Sequence, residues 1–199
     1  MDDTFKTLKE NTEGLFKDKG SKFFAYGYPI SKEEQVKDLV QQLKKEHHSA
    51  RHHCYAFKIG IENVQFRAND DGEPSGTAGK PILGQIESND LTNILIVVVR
   101  YFGGILLGTG GLINAYRNAA ADCIANAKID TRIIENELSV SFSYEQLNTA
   151  MRVVKEEDLR VVEQNFLESC EMKIAVKQSQ YESVFNKFDS IYGIEVEKV

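Results

Sequence analysis

Two glycine-rich stretches, each bracketed by charged side chains, hold the residues of this chain best suited to chemistry. The first reads Asn69-Asp70-Asp71-Gly72-Glu73-Pro74-Ser75-Gly76-Thr77-Ala78-Gly79-Lys80. Asp70, Asp71 and Glu73 are oxygen donors of the kind that hold a hard cation or act as a general base, although a solvated turn has the same composition. Ser75, Gly76 and Thr77 then lead into a helix start. Backbone N–H groups there lack intrahelical acceptors, and with Lys80 beside them they favour an anion. The alternative is a tight connection whose Ser or Thr caps the helix. A phosphate-binding P-loop is excluded, because Pro74 stands where the first glycine is required and Pro81 follows Lys80 in place of Ser or Thr.

The second stretch runs from Arg100-Tyr101-Phe102-Gly103-Gly104 to Gly108-Thr109-Gly110-Gly111. Glycines at a strand end let a ligand or another backbone approach closely. A helix beginning near Gly110 presents further N–H groups at the same corner. Arg100 closes an apolar run and must be paired or face a site; an acidic residue of the 70–73 turn is the expected partner. Tyr101 or Phe102, if exposed, offers a ring for base stacking. The segment is no dinucleotide fingerprint, since Gly108-Thr109-Gly110 lacks the third glycine.

All four histidines cluster at His47, His48, His52 and His53, with Arg51 among them and Cys54 next. Imidazoles and a thiolate suit zinc, but the spacing does not: the first pair ends a helix and the second begins a strand, where neighbours face opposite ways. His47 and His48 fit a helix C-terminus, and His52 or His53 beside Arg51 is placed to line a polar site. Free amides at two helix starts, helped by Arg51, Lys80 and Arg100, are thus expected to form a single anion-attracting patch.

The elements that must position these groups follow from periodicity. Aromatic-rich strands are expected around Gly20 within 12–29, the first strand of the chain starting near residue 12. Ser31 to Glu34 reads as a capping box, with Glu34 reaching back to the chain at Ser31. Val36, Leu39, Val40 and Leu43 follow at helical spacing, and the helix fades near His47. Tyr55, Phe57, Ile59 and Ile61 alternate as a strand with one buried face, and 64–68 is its antiparallel partner. Ile82, Leu83 and Ile86 give the next helix its buried side. Ile94 to Val99 is apolar at every position, as in a central strand covered on both faces. Leu112, Tyr116, Ala119, Ala120, Cys123 and Ala127 mark a helix packed closely on a sheet. A boundary falls near 131–135, dividing residues 1–133 from 134–199. The second part reads strand, helix (stripe Leu147, Ala150, Met151, Val154), two strands, helix, strand. This is the βαββαβ order of ferredoxin-like domains, so the fold class is α+β.

Composition narrows the function classes. Residues 135–199 hold 7 basic and 13 acidic residues of the chain's 24 and 30, so the remainder is balanced and the chain's −6 lies in the C-terminal part. Nucleic-acid contact is therefore expected from the N-terminal part. Cys54, Cys123 and Cys170 form no Cys-x-x-Cys pair, which suits a reducing compartment with thiols used in the core. The N-terminus has no apolar run and the longest apolar stretch is short, so the expectation is a cytoplasmic chain with no membrane contact, monomeric by default.

The run from Asn69 to Leu83 and the run Val98-Val-Arg-Tyr-Phe-Gly-Gly-Ile-Leu-Leu-Gly108 resemble the IMPACT/YigZ family, and no position in them departs from its pattern. The resemblance covers nearly the whole chain. It implies a first domain like the second domain of ribosomal small-subunit protein five, seen also in domain four of elongation factor G, and a ferredoxin-like second domain. It implies a link to translation or nucleic acid. Eukaryotic members restrain a starvation-activated kinase through an extra N-terminal domain, for which a first strand near residue 12 leaves no room, so the chain looks like a bacterial two-domain member. The expected function is non-enzymatic binding of RNA, the ribosome or a translation-related protein, with no cofactor and no metal. One alternative is an enzyme acting on a small phosphorylated or carboxylated substrate in the same pocket. The other is a protein-interaction module, marked by apolar residues exposed on the C-terminal sheet.

Overall fold

The apolar run Ile94–Tyr101 (β6) forms the axis of the first unit. The computed structural model describes residues 3–166 and 170–199, and they divide into two compact units, Phe5–Arg132 and Ile133–Val199 with the chain's start up to Thr4. In the first unit β6 is flanked by β3 (Ser21–Pro29) and β4 (His52–Ile59), and beyond them lie β2 (Thr12–Asp18) and β5 (Gln65–Asn69). The order is β2-β3-β6-β4-β5 and every neighbouring pair is antiparallel. Helices α2 (Gly79–Ser88) and α3 (Gly108–Ala125) cover one face and α1 (Glu33–Glu46) the other.

Because side chains alternate along a strand, β6 feeds two cores. Ile94, Ile96 and Val98 pack with Ile82, Ile86, Leu112 and Tyr116 under α2 and α3. Leu95, Val97 and Val99 pack with Val36, Leu43 and Phe57 under α1. The same period sends Arg100 to the α2–α3 side and Tyr101 to the α1 side.

Three local expectations need correction. First, β4 is buried on both faces rather than one: Cys54 and Ala56, too small to register in the apolar alternation, sit fully buried under the helices. Second, the first strand is β1 (Thr4–Leu8), which pairs with β7 (Ile129–Ile133) in a separate two-stranded sheet. Its sequence, Thr-Phe-Lys-Thr-Leu, alternates too weakly to stand out. Third, α1 starts one residue later than the proposed box. Its N-cap is Lys32, whose ammonium has no acceptor to offer. Gln35 Oε1 reaches back instead, accepting from the N–H groups of Ser31 at 2.8 Å and Lys32 at 3.0 Å.

One approach within the sheet depends on glycine. A side chain at Gly103 would meet the Gly20–Ser21 backbone at 2.0–2.1 Å, and the Gly103 N–H donates to Ser21 Oγ at 3.1 Å. This packs the end of β6 against the β2–β3 turn and fixes where the 103–107 loop departs.

The second unit follows the expected order: β8 (Glu135–Phe142), α4 (Leu147–Glu156), β9 (Arg160–Phe166), β10 (Cys170–Lys177), α5 (Tyr181–Asp189) and β11 (Ile194–Lys198). Its antiparallel sheet runs β11-β8-β10-β9. Leu138, Val140, Met172 and Ile174 pack with Ala150, Val154, Val184 and Phe188 of the two helices. Val153 takes the buried position expected of Met151, which is exposed. The alternate positions carry Glu137, Ser139, Glu163, Lys173, Glu195 and Glu197, so the open face is polar and acidic. The apolar mark of an interaction sheet is not what these residues provide.

Candidate anion-binding pocket

The β6 period and the Gly103 anchor bring the strand end over the start of α3. There, Arg51, His52, Glu73, Pro74, Arg100, Phe102, Leu106, Leu107, Gly108, Thr109 and Leu112 line a pocket of about 460 Å³. That size suits a small ligand or one unit of a larger one. Its floor is made of buried groups, Arg100, Glu73 and Leu112. Its mouth is made of exposed ones, with Phe102 at 55% and Leu106 at 84%.

Arg100 finds its expected acidic partner in Glu73, with Nη1 2.6 Å from Oε1 and the two side chains 7% and 4% exposed. Tyr116 also donates to Glu73 Oε1, at 2.8 Å, and Cys54 Sγ donates to the Tyr116 hydroxyl at 3.3 Å. Both bonds to Glu73 fall on Oε1, leaving Oε2 outside them. The guanidinium lies 5.5 Å from the Phe23 ring centroid and 5.6 Å from that of Phe102, within cation–π range. Its Nε is buried without a hydrogen-bond partner among the described residues. A charged donor in that state is costly unless something accepts from it.

His52 lies beside Arg100 in register on the next strand. Its Nδ1 is 2.9 Å from the Asp71 carbonyl oxygen. A carbonyl only accepts, so Nδ1 carries a proton, and in the tautomer this selects Nε2 is the acceptor. The α3 N-terminus contributes Gly108 and Thr109, and no described side chain caps it. The positive end of the helix dipole therefore lies at the pocket, with no side chain of the described residues neutralising its first amides.

The other expected site residues lie elsewhere. Asp70 accounts for the largest correction: its carboxylate accepts from the N–H groups of Gly76 at 2.8 Å, Ala78 at 3.0 Å and Gly79 at 2.8 Å. The amides at the start of α2 are not free, because the protein supplies its own anion. The expected two-helix patch is thus reduced to one helix start. Thr77 Oγ1 is turned to the Pro74 carbonyl, and Ser75, Gly76 and Lys80 lie outside the pocket. Asp71 Oδ1 pairs with Lys44 at 3.0 Å, and its Oδ2 accepts the His53 N–H at 2.7 Å. Neither aspartate converges on the pocket, and among the described residues no group of acidic, His and Cys side chains is arranged to hold a metal.

His53 and Tyr101 face α1, one residue out of phase with His52 and Arg100. His53 is buried, which holds its pKa below the ordinary value. Tyr101 bonds His47 Nδ1 at 2.8 Å, while His47 Nε2 meets the Tyr26 hydroxyl at 2.8 Å. The exposed ring at this corner is therefore Phe102. Gly104, Gly110 and Gly111 do not line the pocket, and α3 begins at Gly108, two residues before the expected start. Burial pushes the Cys54 thiol well above its usual range and Cys123 up to about 12, so neither is a thiolate at neutral pH. Sequence reading missed the polar role of Tyr116. Its spacing with Leu112 and Ala119 marks only the buried stripe, and a buried tyrosine hydroxyl needing a partner was the available signal.

The model of the Impact N-terminal domain matches residues 19–124. The IMPACT family member YvyE of Bacillus subtilis is 33% identical over 177 residues, 89% of this chain and 82% of the relative. YigZ of Escherichia coli is 34% identical over 145 residues, 72% and 71% of the two chains. A crystal structure of a hypothetical protein superposes with a TM-score of 0.72 at 27% identity, covering 100% of this chain and 98% of that one.

Proposed function

The chain belongs to the IMPACT family, and from that premise we propose that it is a non-enzymatic, translation-linked binding protein that engages RNA through the pocket beside α3. One observation carries the reading: Arg51, the buried Arg100 and the uncapped α3 N-terminus meet at one cavity with the exposed Phe102 ring at its mouth. Arg51 and the helix amides are suited to phosphate, and an aromatic ring adds sequence-tolerant stacking. The acidic face of the second unit repels phosphate and so restricts RNA to the first. We take that second unit as ferredoxin-like, from its βαββαβ order, and the first as resembling the second domain of ribosomal small-subunit protein five. The role assigned is cytoplasmic.

Arg51 is exposed and makes no ion pair among the described residues, which makes it the cleaner variant. In filter-binding titrations with single-stranded RNA, Arg51→Ala is expected to weaken binding. It should also reduce the slope of log affinity against log salt by about 0.7, the loss of one phosphate contact. Absence of RNA affinity for the parent chain at low salt would sink the proposal.

The size and concavity of the cavity favour one rival, an enzyme on a small phosphorylated or carboxylated substrate. Among the described residues only one carboxylate, Glu73, lines the cavity, and it is held by Arg100 and Tyr116. Turnover in a metabolite panel, abolished by His52→Ala, would establish that rival.

A further inference from the structure

The floor and the mouth of the pocket ask for different parts of a ligand. At the floor, Arg100 and Glu73 cancel in charge, so a phosphate placed there would meet the Glu73 carboxylate as well as the guanidinium. What the floor offers is a donor group beside an acceptor: the Arg100 guanidinium and Glu73 both line the pocket, and Glu73 Oε2 takes neither of the bonds made to that side chain. His52 Nε2 adds an acceptor at the side. Pro74 and Leu107 line the space between, with Leu112 at the floor and Phe102 at the mouth, apolar surfaces suited to a flat ring. The excess positive character, from Arg51 and the first turn of α3, lies nearer the rim, where Arg51, Gly108 and Thr109 are exposed.

A neutral, flat group with a donor and an acceptor on one edge, attached to an anion, meets both requirements. Resting on the RNA-binding reading above, we infer that the pocket takes one unpaired nucleobase, inserted edge-first. The base edge accepts from the Arg100 guanidinium and donates to Glu73 Oε2. The ring lies against Phe102 and Leu107, and the nucleotide's phosphate stays at Arg51 and the α3 N-terminus. Duplexed bases are excluded, because their edges and faces are already occupied.

Fluorescence anisotropy with short single-stranded oligoribonucleotides tests this, using an ordinary oligomer and one of equal length whose residues are abasic ribose phosphates. The abasic oligomer is expected to bind about tenfold more weakly, the order of one lost stacking contact. Phe102→Ala, at an exposed position, should weaken the ordinary oligomer by about as much and leave the abasic one unchanged. Equal binding of the two oligomers, or a Phe102→Ala loss common to both, overturns base insertion while leaving RNA binding intact. If neither oligomer binds, base insertion and the RNA-binding reading both fall.

Discussion

Replacing Arg100 with alanine is expected to destabilise the first unit by about 3–5 kcal/mol, the cost of leaving one member of a buried ion pair without its partner. The loss arises less from the missing bond than from what stays behind. Glu73 has a side chain 4% exposed, and without the guanidinium its charge keeps, among the described residues, the Tyr116 hydroxyl at 2.8 Å. Removal of the packing against Phe23 adds to the cost. Urea denaturation followed by circular dichroism measures it. Glu73→Gln introduced into the Arg100→Ala chain should recover part of the stability, because the neutral amide no longer has to be buried as an ion. A single variant within about 1 kcal/mol of the parent would mean that water reaches the pair, and the pocket floor described above would then be wrong. The same change should remove ligand binding, but Arg51→Ala is the better probe of that because it leaves the core alone.

Asp70→Ala is expected to cost about 2–4 kcal/mol, since one carboxylate satisfies three backbone donors at the start of α2. Asp70→Asn should cost less, one amide oxygen still being able to accept. The pH dependence has a definite sign. Burial pushes the Asp70 carboxyl up, but the N–H groups of Gly76, Gly79 and Ala78 together outweigh it, and the net pKa lies below the ordinary value of 3.8. A carboxyl depressed in the folded state contributes stability that is fully present above its unfolded pKa and is lost as pH falls through the folded one. The parent chain should therefore lose stability on acidification below about pH 4, and Asp70→Ala should lack that part of the slope. Inorganic phosphate should partly restore the alanine variant by occupying the vacated amides. A variant as stable as the parent at neutral pH would show that the α2 start does not depend on this cap.

Sequence reading found the corner but misjudged how its parts are used. Gly76 to Lys80 has the composition of an anion site, and the structure agrees that an anion sits there; it is Asp70, six to nine residues back. Composition could not separate a site awaiting a ligand from one already filled, because three nearby carboxylates look alike until each is seen to have a different partner. Tyr101 and Phe102 are adjacent aromatics at a strand end, and which one is exposed depends on the phase of β6 and on where the chain leaves it at Gly103.

From sequence alone came most of the elements and their order, though not β1 or β7, with the central place of 94–99 and the Arg100–acid pairing. These rest on local periodicity and on the cost of burying an unpaired charge, and both act wherever the chain folds. Only the tertiary structure decided that Glu73 is the partner, that Asp70 closes the α2 site, and that the α3 start opens beside Arg51 and His52. Those outcomes depend on which face each strand residue presents and which backbone amides another segment reaches first, and long-range packing sets both.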